Sequence, residues 1–389
     1  MKRMGTLMLA VWLALLLAPV KAEAAELDVG GKSAVLMDVA TGTVLYEQNA
    51  HEALPPASVT KVMTMLLVME AIDAGQIKWE DMVTASEAAA AKGGSQIYLK
   101  VGERMTVTDM LKSVAVSSAN DCACALAEML AGSESAFVER MNSRAKELGM
   151  ENTHFVNCTG LDDDDSAKEH RTSAYDIALM SRELLKNHEK IREFTTIWMD
   201  TVRDGTFGLS NTNKMVRFYP DCTGLKTGYT SGAGFCLSAS ALRDGMELIA
   251  VVMGAKSSQE RFAACKRMLD YGFATYSLYS PALQDGATVP VTLGVQSAVG
   301  AVPEKRTELL VEKAKRNDVT SEITLEPSVS APVSRGQKLG ELTVRAGDQV
   351  LAKIPLVAES DVAKLTWGQI FLRLLGRISM APVTADSTS

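Results

Sequence analysis

The sequence predicts an α/β protein: an antiparallel sheet flanked by helices with an inserted helical lobe, followed by a small all-β domain and a terminal amphipathic helix. Three observations carry this. Strand-like runs stand at both ends of the first 282 residues while the middle has helical period, unlike a repeating βαβ chain. From about residue 283 the texture changes to short alternating apolar and polar runs between Gly and Pro breaks. The last apolar segment has helical period, with arginines on its other side.

Taken in order, residues 32–50 hold two apolar runs around Ala40-Thr41-Gly42 and predict a hairpin. Residues 58–74 are apolar nearly all round, which predicts a buried helix. Residues 86–200 are mostly helical in pattern. In TVTDMLKSVAVSSANDCACALAEMLAG, Thr106 or Thr108 suits a cap and Gly132 suits the end of the last helix. Within 220–255, AGFCLSASALRDGMELIAVVMGA predicts a hairpin turning at Asp244-Gly245, and 258–277 predicts a further helix. The stretch 283–359 reads as the β domain, without a catalytic cluster, and so as a spacer or binding module. In KLTWGQIFLRLLGRI, Trp367, Ile370, Phe371, Leu374 and Ile378 share one face, with Arg373 and Arg377 on the other. This segment, 360–380, is too short and charged to span a bilayer. It suits a helix lying at a membrane surface, the competing reading being a helix packed on the protein; 381–389 is a tail.

Composition narrows the function. The basic start at Lys2 and Arg3, the apolar run to Val20 and the Ala22-Glu23-Ala24 end read as a cleaved secretory signal over 1–24, the competing reading being an uncleaved N-terminal anchor, and leave a first domain of 25–282. The net charge of −7 disfavours nucleic acid as a partner. Six cysteines are scattered through the first domain without zinc-pair spacing and read as small buried hydrophobes, although Cys122 and Cys124 stand close enough to Asn120 to expose that region to oxidation. The histidines His51, His154, His170 and His188 are dispersed and no H-E-x-x-H occurs, so no metal or other cofactor is expected.

The chemistry concentrates in PPASVTKVMTML, residues 55–66. Ser58 and Lys61 lie one helical turn apart in an apolar segment, where an ammonium is costly unless paired or deprotonated. A second Ser-x-x-Lys, at Ser143 and Lys146, lies in a polar segment and lacks that setting. Ser118-Ala119-Asn120 and Lys226-Thr227-Gly228 follow in order. Taken singly, Ser118 and Asn120 read as helix caps and Lys226 as a strand-end charge; jointly, the three elements form the signature of penicillin-binding proteins and class A β-lactamases.

With these motifs the chain resembles the low-molecular-mass penicillin-binding proteins, serine D-alanyl-D-alanine carboxypeptidases. FVNCTGLDD at 155–163, TSAYDIA at 172–178, GLKTGYT at 224–230 and LIAVVMGA at 248–255 extend the resemblance. It implies a β-lactamase/transpeptidase-like fold, export to the outer face of the cytoplasmic membrane, peptidoglycan stem peptides ending in D-Ala-D-Ala as substrate, and β-lactams as covalent inhibitors. It further implies Ser58 as nucleophile, Lys61 as its base with burial and a second cation nearby lowering its pKa, and Ser118 between Lys61 and Lys226 as proton relay. Asn120 would bind the substrate backbone. Lys226, Thr227 and Arg261 would hold the terminal carboxylate, Gly228 would admit the substrate strand, and the N–H groups of Ser58 and Tyr229 would form an oxyanion hole. Two alternatives stand beside this: a serine β-lactamase, and a non-catalytic wall-binding scaffold. The first needs a water-activating glutamate in a Glu-x-x-x-Asn pattern after the second motif. Glu151 is followed by His154 and Phe155 and does not supply it, so slow release of bound β-lactams is expected.

Overall fold

Strand β1 (Ser33–Asp38) is buried at every position, which a strand achieves only when both faces of its sheet are covered. The computed structural model describes Leu27 and residues 29–163, 165–281, 286–305 and 307–379. The expected signal at 1–24 and tail at 381–389 lie outside these residues. β1 pairs antiparallel with β2 (Val44–Gln48), closing the expected hairpin. Three later strands complete the sheet: β3 (Cys222–Thr230), β4 (Gly234–Arg243) and β5 (Met246–Ala255). Their order is β2-β1-β5-β4-β3, antiparallel throughout, so β3 is an edge strand.

Alternation along β1 and β5 divides the core in two. Val35, Met37, Ile249 and Val251 face one apolar cluster; Leu36, Leu248, Ala250 and Val252 face the other. The first cluster contains α1 (Lys61–Asp73) and the lobe helices α2 (Val107–Ser117), α3 (Asn120–Ala131), α4 (Glu134–Glu147) and α5 (Ala174–Asn187). The second is covered by α6 (Ser258–Thr275). A Cβ on Gly272 would stand 2.5 Å from Leu248, so the glycine lets α6 lie against the sheet.

The expected caps are present. Thr106 accepts a hydrogen bond from the Asp109 N–H, and Gly132 ends α3 in a left-handed conformation. Asp244 and Gly245 both have positive φ, as a tight hairpin turn between β4 and β5 requires. The 86–200 region departs from its mostly helical reading: Met82–Thr84 pairs with Arg104–Thr106, and Met199–Val202 with Phe207–Ser210. The helix expected over 258–277 ends at Thr275, because Tyr276–Tyr279 leaves as a strand and pairs with Leu309–Glu312.

The second domain is a six-stranded sheet of β6 (Thr288–Thr292), β7 (Ala298–Pro303), β8 (Val319–Leu325), β9 (Val329–Ser330), β10 (Lys338–Ala346) and β11 (Gln349–Ala358), ordered β8-β10-β11-β7-β6-β9. The terminal helix α7 (Trp367–Ser379) follows it. Trp367 is 87% exposed and Phe371, Leu372, Leu374 and Leu375 are also exposed. Arg373, expected on the polar side, donates to the carbonyls of Gly294 and Val295, tying the helix to the β domain. No helix among the described residues is long and apolar enough to cross a membrane.

Candidate active site

Ser58 sits on a 3-10 turn, Ala57–Thr60, directly ahead of α1. The turn is strained: Ala57 has φ 49°. Its carbonyl accepts the Thr60 hydroxyl hydrogen at 2.8 Å. That hydroxyl lies 2.8 Å from Nε2 of buried His170, whose Nδ1 accepts the Val156 N–H. Burial holds the His170 pKa down to about 4, so the ring is neutral and Nε2 carries the proton given to Thr60. On the other side of the turn, a Cβ on Gly160 would stand 1.9 Å from the Ala57 oxygen. Only glycine fits there, and its φ of +80° also favours glycine.

Lys61, the first residue of α1, is fully buried. Nζ donates to Ser58 Oγ at 2.8 Å and to the Thr159 carbonyl at 2.8 Å. Desolvation lowers its pKa to about 7, opposed by Cys158 and Asp121. The second cation, Lys226, is also buried and donates to the Thr227 carbonyl at 2.9 Å. Desolvation holds its pKa well down, and the charges of Lys61 and Arg261 lower it further. The expected lowering of Lys61 by burial is present, and Lys226 stands close enough as a second cation for the two charges to repel each other.

Ser118 and Asn120 occupy the break between α2 and α3. Ser118 caps α2 with φ 63°, a strained value for serine, and α3 restarts at Asn120. Both are buried. Ser118 Oγ and Asn120 Oδ1 have no hydrogen-bond partner among the described residues, while Asn120 Nδ2 donates to the Gly93 carbonyl at 2.7 Å. Next to them the Asp121 carboxylate accepts the N–H groups of Ile97, Leu99 and Cys122, fixing the 93–99 loop beside Asn120.

β3 brings the third motif against the serine. A Cβ on Gly228 would lie 2.7 Å from the Pro56 carbonyl and 3.1 Å from the Ser58 nitrogen. The missing side chain lets β3 lie against the Ser58 turn. Thr227 donates to the Thr212 hydroxyl at 2.7 Å. Arg261, on the first turn of α6, reaches the back of β3 and donates to the Gly228 carbonyl at 2.8 Å; its Nε has no hydrogen-bond partner among the described residues. Tyr229 is exposed and packs its ring on Phe235 at 4.3 Å.

Three supports escaped the sequence reading: Thr159, Asp121 and the His170–Thr60 pair. FVNCTGLDD contains Thr159, but nothing in its pattern shows that a backbone carbonyl would hold Lys61. The sequence reading found no Glu-x-x-x-Asn pattern between 121 and 225, but the spacing does occur there, at Glu183 and Asn187. Glu183 accepts a hydrogen bond from Arg144, which also binds Glu70, nine residues past Lys61 on α1 and so about 13 Å along the axis. It does not serve Ser58. The ligand atoms of Glu70, Glu183 and His188 lie within 4.8 Å of one another, but Arg144 occupies both carboxylates.

An activated serine with a buried lysine, at the junction of a helix and a sheet edge, defines a serine acyl-transfer enzyme. The family model for D-alanyl-D-alanine carboxypeptidase matches residues 20–257, and that for the penicillin-binding protein 5 C-terminal domain matches 273–364. The chain belongs to the D-alanyl-D-alanine carboxypeptidase family of serine peptidases. It is 45% identical to D-alanyl-D-alanine carboxypeptidase DacF of Bacillus subtilis over 90% of each chain. Penicillin-binding protein 5 from Haemophilus influenzae superposes with a TM-score of 0.75 at 29% identity, over 86% of this chain and 98% of that one. Penicillin-binding protein D2 from Listeria monocytogenes, in its ampicillin-bound form, matches with a TM-score of 0.55 at 32% identity over 62% of this chain and 97% of that one.

Proposed function

We propose that the chain removes the terminal D-alanine from peptidoglycan stem peptides through an acyl-enzyme on Ser58, and that β-lactams acylate the same oxygen. The observation that carries this is the 2.8 Å bond between Ser58 Oγ and a fully buried Lys61 whose pKa is lowered to about 7. A neutral Lys61 takes the Ser58 proton as Oγ attacks the penultimate carbonyl. The N–H groups of Ser58 and Tyr229 receive the oxyanion. Ser118, its hydroxyl unspent, passes the proton from Lys61 to the leaving amine. Asn120 Oδ1, also unspent, accepts a substrate N–H. Lys226 and Thr227 take the terminal carboxylate, with Arg261 adding charge from behind β3. An arriving carboxylate supplies the counter-charge Lys226 lacks and raises its pKa, so binding draws a proton into the site.

The domain from 25 to 282 carries this chemistry and the 283–359 domain is a spacer. α7 lies on the outer face of the cytoplasmic membrane, after export directed by 1–24; its exposed apolar side chains support that placement.

The test is intact-mass analysis after incubation with benzylpenicillin, alongside an assay of D-alanine release from a D-Ala-D-Ala-terminated peptide. A stable adduct mapped to Ser58, absent in Ser58→Ala, together with D-alanine release is expected. Rapid penicillin turnover would instead indicate a β-lactamase, and no adduct a scaffold.

A further inference from the structure

A groove whose lining residues take no part in the Ser58 chemistry runs along α6. It has a volume of about 590 Å³, and its apolar lining is Met215, Phe218, Tyr219, Phe262 and Ala263. One wall is α6. Ser258, Phe262 and Lys266 stand there at i, i+4 and i+8, with Gln259 and Ala263 beside them, so this wall is about 12 Å long. The other wall is the short helix Met215–Phe218 with Tyr219 after it. Hydrogen bonds pin that wall. The Asn213 side-chain carbonyl accepts the Met215 N–H at 3.1 Å, and the Tyr219 hydroxyl donates to Asp270 of α6 at 2.9 Å. The groove is therefore preformed.

Its charge is one-sided. No acidic residue lines it, whereas the chain as a whole carries a net charge of −7. Its two cations, Lys214 and Lys266, are exposed, and neither ammonium has an ion pair or hydrogen bond among the described residues. Phe218 remains 72% exposed although its ring meets Trp198 edge-on. The main chain of the shorter wall is already spent, since the N–H groups of Phe218 and Tyr219 bond to the carbonyls of Lys214 and Met215. An extended peptide laid in the groove would find few partners for its own main chain. The volume is that of a small-molecule site, about 300–1,000 Å³, and suits one alkyl chain of the wall's length.

We propose that this groove binds a single-chain anionic amphiphile, an alkyl carboxylate whose chain lies between α6 and the Met215–Phe218 helix and whose head group is held by Lys214 and Lys266. Burial of the chain against Met215, Phe218 and Phe262 supplies the affinity. The two lysines, with no acid beside them, select the sign of the head group, so a neutral or cationic group on the same chain is disfavoured. The inference does not depend on the role given to Ser58.

The test is calorimetric titration of the full mature chain with decanoate, below the concentration at which it forms micelles. One saturable site is expected. Octanoate should bind about tenfold more weakly, because two fewer methylenes are buried, and decanol and decyltrimethylammonium about tenfold more weakly or worse. The double variant Lys214→Glu with Lys266→Glu, and Ala263→Trp, which fills the groove, should each abolish the site while circular dichroism stays unchanged. The double variant alters only exposed side chains and decides the matter if Ala263→Trp does not fold. Lysine acetylation mapped by mass locates the ligand: decanoate should slow modification of Lys214 and Lys266 several-fold and leave Lys364, just ahead of α7, unaffected. Binding that survives in the double variant, or protection confined to Lys364, would assign the amphiphile to the exposed face of α7 and overturn the proposal. So would the absence of a saturable site, or equal affinity for the decyl cation. A dimer that Ala263→Trp dissolves would overturn it too, by giving the groove to a second copy of the chain.

Discussion

Among the described residues, Lys61 has two bonds, to Ser58 Oγ and the Thr159 carbonyl, and no carboxylate bonded to its ammonium. In bulk water it would keep its proton; fully buried, it gives it up near pH 7. Lys61→Arg keeps the charge but cannot release it, so penicillin acylation should fall by about 10²–10⁴-fold with the fold retained, read as the second-order labelling rate beside a melting curve. The same shift has a signed effect on stability. The folded-state pKa lies below the ordinary 10.5, so between about pH 7 and 10.5 the unfolded chain binds the additional proton. This residue's contribution therefore rises as the pH climbs through that window, which urea midpoints of wild type and Lys61→Met would resolve. His170 acts at one remove. His170→Ala leaves the Val156 N–H without its acceptor and Thr60 without its donor, a cost of about 1–3 kcal/mol in urea unfolding. At this scale Ser58, Lys61 and Lys226 were legible, because a motif names side chains. Thr159 was not, because what it contributes is a backbone carbonyl, which any residue carries.

The elements were legible where local chemistry decides them. Thr106, Gly132 and the Asp244-Gly245 turn act within a few residues of themselves, and each stands where the sequence put it. Thr106→Ala should cost about 1 kcal/mol in thermal unfolding without changing the acylation rate. The break at Ser118 was less legible: helical period runs through VAVSSANDCACA, and the interruption rests on a strained serine that tertiary packing holds in place. The short strand pairs around the lobe were missed because three- and four-residue strands leave no period to read. Gly160 shows the same limit, since its need is set by Ala57, distant in sequence. Gly160→Ala would force the Ala57 carbonyl away and displace Ser58, so it should lose penicillin labelling even where circular dichroism shows the helices intact.

At the scale of the whole molecule, the sheet is closed by strands from both ends of the first domain, β1 and β2 against β3, β4 and β5, with the lobe between them. That order was readable from strands at both ends and helices in the middle; the handover at Tyr276–Tyr279 was not, because a strand pairing with Leu309–Glu312 carries no local mark of its partner. A chain ending before residue 360 should retain D-alanine release from soluble peptides but lose sedimentation with anionic vesicles, since the exposed apolar side chains of α7 go with it. The account as a whole rests on a neutral lysine one turn from a serine. The most direct measurement is the pH dependence of the second-order rate constant for benzylpenicillin acylation of the mature chain from pH 5 to 10. A rate that falls tenfold per unit below a midpoint near pH 7 is predicted, from Lys61 gaining its proton. A rate flat down to pH 5, or one still rising beyond pH 9, would contradict it.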